Sequence, residues 1–200
     1  MIVGIIGSGA MGSGIAQVAA QAGHDVLVYD TQDAALLNAK NKLDKVLARL
    51  VEKGKYSEEN AAAIANRITW EGNLKSFQNC GLVIEAIVER LDAKKSVFNT
   101  LESLVDSSSI LASNTSSLSI AAISAGMKNP ERLLGIHFFN PAPLMPLVEI
   151  IPSLQTQDAV TQQAEALIKS WGKVTVSAKD TPGFIVNRVA RPFYSEAIKM

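Results

Sequence analysis

The sequence predicts an α/β protein built on a doubly wound, mostly parallel sheet. Three observations predict it. An apolar run, Ile2–Ile6, meets a glycine turn, Gly7-Ser8-Gly9-Ala10-Met11-Gly12, and a helical pattern then leads to a second run, Val26–Tyr29, ending on Asp30. Further apolar runs, such as Leu82–Ile84 and Ile110–Ala112, alternate with helical patterns, which is the βαβ rhythm. These runs are continuously apolar rather than alternating, as strands covered on both faces must be.

Taken in order, the first strand, glycine turn and helix Ser13–Ala22 lead through His24, in the Gly23–Asp25 turn, to the second strand. Leu36, Leu43, Leu47 and Leu50 recur at helical spacing within a long helix over Asp33–Lys53. Gly54 stops it, and Ser57 is the expected N-cap of a second helix through Asn66, so residues 33–66 read as an inserted helical hairpin. Lys40, Lys42, Lys45, Arg49 and Lys53 mark its first helix, where pairing with Asp44 and Glu52 would make a solvated face. Strands follow at Ile68–Trp70, Leu82–Ala86 and Ile110–Ala112, with a helix at Leu91–Val105. The polar loop Ser113–Ser117 precedes a helix over Leu118–Ala125, which Ser116 or Ser117 can cap. Leu133–Ile136 runs into His137-Phe138-Phe139-Asn140-Pro141, and Leu147–Ile151 is the next strand, with Glu149 its one charge. A helix over Asp158–Trp171 and a strand at Val174–Val176 complete the sheet. A last helix begins at Asp180-Thr181-Pro182-Gly183, with Asn187 in its second turn and a kink expected at Pro192.

Composition excludes several classes of function. Nineteen Lys and Arg balance nineteen Asp and Glu, so no net field draws nucleic acid or an anionic membrane. One cysteine, Cys80, rules out an internal disulfide and any CxxC metal site, and two histidines argue against structural zinc. Cys80, set before an apolar strand, reads as a buried, inert thiol. The long uncharged stretch 107–127 is too rich in serine to span a bilayer. A strand starting at Ile2 leaves no room for a leader, and the protein is expected to be cytoplasmic.

The glycine turn carries the first chemical signal. Between strand and helix, Gly7 permits the tight turn, Gly9 lets backbone approach a pyrophosphate, and Gly12 lets helix and strand pack closely. The amides of Ala10 and Met11 open the helix and face the phosphates. Asp30, 18 residues after Gly12, is placed to accept from an adenosine ribose, and its charge disfavours a 2′-phosphate. The cofactor implied is NAD. The second signal is His137 with Glu149 twelve residues on. If their strands pair, the carboxylate bonds one imidazole nitrogen and raises the basicity of the other, making the base a dehydrogenase needs. A structural histidine and a solvent-facing acid are the bland alternatives.

Together these stretches resemble the L-3-hydroxyacyl-CoA dehydrogenase family, whose NAD-binding domain matches from Ile2 to about Ala197. The motifs are Gly7–Gly12, Glu85-Ala86-Ile87-Val88-Glu89, Ser113–Ser117, His137–Pro141 and Thr181-Pro182-Gly183-Phe184-Ile185-Val186-Asn187-Arg188. The resemblance implies a Rossmann-type domain over residues 1–182, with 183–200 the first helix of a helical domain that family members carry. It implies that His137 removes the proton of a 3-hydroxyl, that Glu149 orients His137, and that Ser116 and Asn187 bond the substrate. Asn140 would line the same pocket beside the nicotinamide. Glu89 and Lys94 would touch the cofactor, and Lys53 the CoA nucleotide, although Val46 stands where the family has a serine. An acyl-CoA substrate, a role in fatty-acid oxidation and a homodimer joined through the helical region are implied as well. An inactive NAD-binding module and a sugar-acid dehydrogenase are the alternatives.

Overall fold

The computed structural model describes residues 1–199. Its eight strands form one sheet in the order β3-β2-β1-β4-β5-β6-β7-β8. They are β1 (Ile2–Ile6), β2 (Asp25–Tyr29), β3 (Ile68–Glu71), β4 (Leu82–Glu85), β5 (Ile110–Ser113), β6 (Leu133–Phe138), β7 (Leu147–Pro152) and β8 (Val174–Ser177). Every neighbouring pair is parallel except β6 and β7, which a short turn joins antiparallel. The strand order reverses direction between β1 and β4. In open α/β sheets, ligands bind beyond the carboxyl ends of the strands at such a switch point.

Alternate side chains of each strand enter different cores. Val3 and Ile5, Leu82 and Ile84, and Ile110 and Ala112 join one core; Ile6, Val83 and Leu111 join the other. The first core is covered by α1 (Ala10–Gln21), α2 (Asp33–Glu52), α3 (Glu58–Asn66) and α6 (Asp158–Ser170), the second by α4 (Leu91–Leu104) and α5 (Ile120–Ser124). The apolar stripe of α2 (Leu36, Leu43 and Leu47) is buried, so the hairpin packs onto the domain rather than standing off it. Ser57 caps α3, accepting from the Asn60 amide at 3.1 Å. Lys40, Lys42, Lys45, Arg49 and Lys53 are exposed, and among the described residues none pairs with Asp44 or Glu52.

Several expected boundaries move, the first helix starting at Ala10 rather than Ser13, and two of the shifts bear on the site. Helix α5 starts later than Leu118, because its cap is Ser119 and not Ser116 or Ser117. The Asp180 carboxylate, arriving from after β8, reinforces that cap by accepting from Ser119 Oγ and the Ile120 and Ala121 amides at 2.8–2.9 Å. The last helix, α7 (Val186–Lys199), begins after the glycine rather than before it, so Asn187 lies in its first turn. Gly183 and Phe184 both take positive φ, 76° and 49°, which a helix cannot contain. Pro192 sits inside α7, which continues through it, and Met200 of the expected 183–200 segment lies outside the described residues. His24 is half-buried against Trp171, with ring centroids 5.7 Å apart.

Candidate active site

The glycine turn has the shape a dinucleotide needs. Gly7 holds φ 102°, and a methyl at Gly12 would stand 1.8 Å from the Gly7 carbonyl oxygen, so only glycine lets α1 close onto the turn. A methyl at Gly9 would meet nothing within 4 Å; that space opens where phosphates would approach. Gly9 caps α1 without a side-chain hydrogen bond, which leaves the first amides, including those of Ala10 and Met11, to a ligand. Asp30 has a second task. Its Oδ2 accepts from the Ser8 amide at 2.9 Å and the Ser8 hydroxyl at 2.8 Å, pinning the turn to the end of β2. Burial pushes its carboxyl upward, yet these bonds outweigh it and hold the group below the usual range. Oδ1 accepts from the Gln32 amide at 3.2 Å and keeps capacity for a ribose hydroxyl. The residues present therefore fit NAD.

His137 is the penultimate residue of β6, and the antiparallel register places it directly opposite Glu149 on β7. Nδ1 lies 2.7 Å from Glu149 Oε2. Both side chains are buried, and Phe139 and Phe184 flank the imidazole with centroids at 4.5 and 5.8 Å. Far from turning to solvent, Glu149 accepts through Oε1 from the Ile185 and Val186 amides, each at 2.9 Å. Burial raises its carboxyl pKa, but the bond with His137 and the two amides bring it below the ordinary value. One carboxylate thus aligns the imidazole and caps the start of α7.

The next residue of α7 extends the chain of contacts. Asn187 Nδ2 donates to the Ser116 carbonyl at 3.1 Å, so the structure brings Asn187 and Ser116 together at the edge where His137 emerges. The Ser116 hydroxyl makes no hydrogen bond among the described residues. Asn140, exposed at a cis bond to Pro141, lines a cavity of about 710 Å³ with Gly9, Asp30, Lys42, Val46, Leu50 and Leu144. Lys53, the C-cap of α2, is not among that cavity's walls; Lys42, eleven residues earlier, is. Glu89 receives the Ser116 amide at 2.9 Å, and Lys94 is enclosed between Glu85 and Glu89.

Four positioning residues escaped the sequence analysis. Asn114 accepts from the Phe138 amide at 2.8 Å beside His137, and Glu85 is fully buried against Lys94. Lys173 donates to the Ala142 and Met145 carbonyls at 2.6 and 2.9 Å, tying down the loop that carries Asn140, and Asp180 caps α5. Asn114 and Glu85 lie in quoted motifs and were within reach; Lys173 and Asp180 act on distant loops and leave no local signal.

A family described as "3-hydroxyacyl-CoA dehydrogenase, NAD binding domain" matches residues 2–181. The chain belongs to the 3-hydroxyacyl-CoA dehydrogenase family. It is 48% identical to a 3-hydroxyadipyl-CoA dehydrogenase of Escherichia coli over 98% of its length, and 42% identical to a probable 3-hydroxybutyryl-CoA dehydrogenase of Deinococcus radiodurans over its whole length. It spans 41% of the first relative and 71% of the second. Among solved structures, a 3-hydroxybutyryl-CoA dehydrogenase of E. coli superposes with a TM-score of 0.96 at 47% identity, covering 98% of this chain and 42% of that one. An (S)-3-hydroxybutyryl-CoA dehydrogenase of Ralstonia eutropha gives 0.95 at 40% identity, covering 98% and 69%. The family's domain binds NAD, in agreement with the glycine turn and Asp30. No helix among the described residues is long and apolar enough to cross a membrane.

Proposed function

We propose that this chain is the NAD-binding part of an enzyme that oxidises an L-3-hydroxyacyl-CoA to the 3-oxoacyl-CoA. The observation that carries the reading is the buried His137–Glu149 pair at the carboxyl edge of the sheet, 2.7 Å apart. With Nδ1–H donated to Glu149, the Nε2 lone pair is left free, and the carboxylate stabilises the imidazolium that forms when His137 takes the 3-hydroxyl proton. NAD, when bound, supplies the hydride acceptor. Ser116 offers a hydroxyl unengaged among the described residues, and Asn187 and Asn140 add amides near the same edge to orient the substrate oxygens. The cavity begins at Gly9 and Asp30, which NAD would occupy, and its α2 side suits the CoA nucleotide, with Lys42 on the wall and Lys53 at the helix end to meet phosphate charge.

The direct test is NADH oxidation with acetoacetyl-CoA by the native-length protein and by His137→Ala. Loss of general-base catalysis is expected to cost on the order of 10²–10⁴-fold; equal rates would sink the assignment. Association through α7 is part of the proposal, because Val189, Phe193, Tyr194 and Ile198 stand 65–85% exposed along it. A dimer is expected by sedimentation, and a monomer at high concentration would contradict it.

A further inference from the structure

Between α1 and α2, the cavity that Asn140 lines is a groove with two helical walls and a roof. Ser13, Gly14 and Gln17 share one face of α1, and Ala35, Ala39, Val46 and Leu50 share one face of α2. From Ala35 to Leu50 the second wall runs roughly 22 Å at the α-helical rise per residue. Residues 141–144 form the roof. A methyl at Gly14 would stand 3.3 Å from Ala142 Cβ and 3.4 Å from Pro143 Cδ, so the roof lies close on α1. The Lys173 ammonium, 2.6 Å from the Ala142 carbonyl oxygen, holds it there. All three sides are therefore fixed.

Gln17 does not fit a purely structural account of this groove. The residue is 5% exposed, yet its side-chain amide makes no hydrogen bond among the described residues. Being neither bonded nor sealed off, the amide opens on the cavity that the residue lines. Its neighbour Ser13 differs, since Ser13 Oγ donates to the Ser8 carbonyl at 2.8 Å. On the facing wall, Asn38 and Lys42 are exposed and meet solvent. A buried amide without a partner costs free energy that an apolar side chain of the same shape would not. Such a group points to a ligand that brings the partner with it. A carboxamide both donates and accepts, so its complement is another amide. Because the walls around it are mostly apolar, that amide belongs on a chain of alkyl segments.

We propose that Gln17 is a substrate-binding residue that hydrogen-bonds an amide of the pantetheine arm of the acyl-CoA. This rests on the functional reading above, which sets the reacting end of the substrate beside Asn140 and the nucleotide along α2. The pantetheine arm joins those two ends, and it is a chain of alkyl segments interrupted by amides. Its alkyl groups lie on Ala39, Val46 and Ala142, and one amide supplies the partner that Gln17 lacks within the protein. The dinucleotide takes the other end of the cavity, at Gly9 and Asp30.

The test uses Gln17→Met, close to the same shape without the amide, in the native-length protein. KM for acetoacetyl-CoA is expected to rise about 5- to 50-fold, the cost of leaving an enclosed amide of the arm unpaired. The contact holds ground state and transition state alike, so kcat and NADH affinity are each expected within about twofold of wild type. The same rise in KM is expected with acetoacetyl-pantetheine, which lacks the nucleotide. The variant is expected to melt no lower than wild type, because the amide it loses bonds nothing in the protein. An unchanged KM, a rise confined to acetoacetyl-CoA, weakened NADH binding or a Tm several degrees lower would each overturn the proposal. A wild-type protein without turnover would instead defeat the functional reading. Pantetheine alone then decides the contact. It is expected to shift the Gln17 side-chain amide resonances, identified by their loss in Gln17→Met, and resonances that stay in place would overturn the assignment.

Discussion

Glu149→Gln separates the two tasks of that carboxylate. The carboxylate accepts three hydrogen bonds, from His137 Nδ1 and from the Ile185 and Val186 amides. Glutamine offers one acceptor oxygen and one NH₂ in the same shape. If the oxygen stays on the two amides, the NH₂ meets Nδ1, which must then accept. The imidazole proton moves to Nε2, and the base is gone. If the group flips, the NH₂ faces two N–H donors and leaves them unsatisfied, at about 1–3 kcal/mol each. The first arrangement is therefore preferred, and kcat is expected to fall by about 10⁴, the scale measured when another buried acid–histidine pair is forced into the wrong tautomer. Exchanging a charged for a neutral acceptor costs about 1.5–3 kcal/mol. In a domain of 200 residues that is a drop in Tm of about 3–12 °C. NADH oxidation with acetoacetyl-CoA measures the first effect and calorimetry the second. A folded Glu149→Gln with kcat within about tenfold of wild type would refute the reasoning. The same substitution carries a pH signature. The Glu149 carboxyl lies below its ordinary value in the folded state. Its contribution is thus present above the unfolded pKa of about 4.3 and disappears as pH falls through the lower folded value. Denaturant unfolding from pH 7 downward should show wild type losing its advantage over Glu149→Gln only in that acid range.

Three further outcomes test other parts of the structure. Gly12→Ala places a methyl 1.8 Å from the Gly7 carbonyl oxygen, and backbone cannot yield as a side chain would; about 3 kcal/mol of destabilisation and loss of NADH binding are expected, and wild-type melting with intact binding would contradict the packing argument. Lys173→Met removes two donors from the loop that walls the cavity; the expected loss is about 1–3 kcal/mol, with KM for acetoacetyl-CoA raised several-fold, and an unchanged KM would show that the loop holds itself. Cys80 is 1% exposed and burial pushes its thiol up to about 12. A thiol reagent at pH 8 should leave the folded protein untouched and label one group per chain after unfolding; fast native labelling would show the site to be open.

By itself the sequence determined the sheet and the glycine turn, because each rests on local pattern, and it offered Glu149 as the partner of His137 on the condition that their strands pair. Continuous apolar runs require strands covered on both faces, and Gly7 and Gly12 sit where no other residue closes the turn; the antiparallel register of β6 and β7 then sets Glu149, twelve positions after His137, directly opposite it. It could not show what depends on meetings between segments far apart in the chain. That Glu149 caps α7 and delays its start, that Asp180 rather than Ser116 secures α5, and that Lys94 is sealed between two carboxylates follow from packing. A buried polar group takes whichever partner the folded chain brings within reach, and spacing along the sequence does not specify that partner.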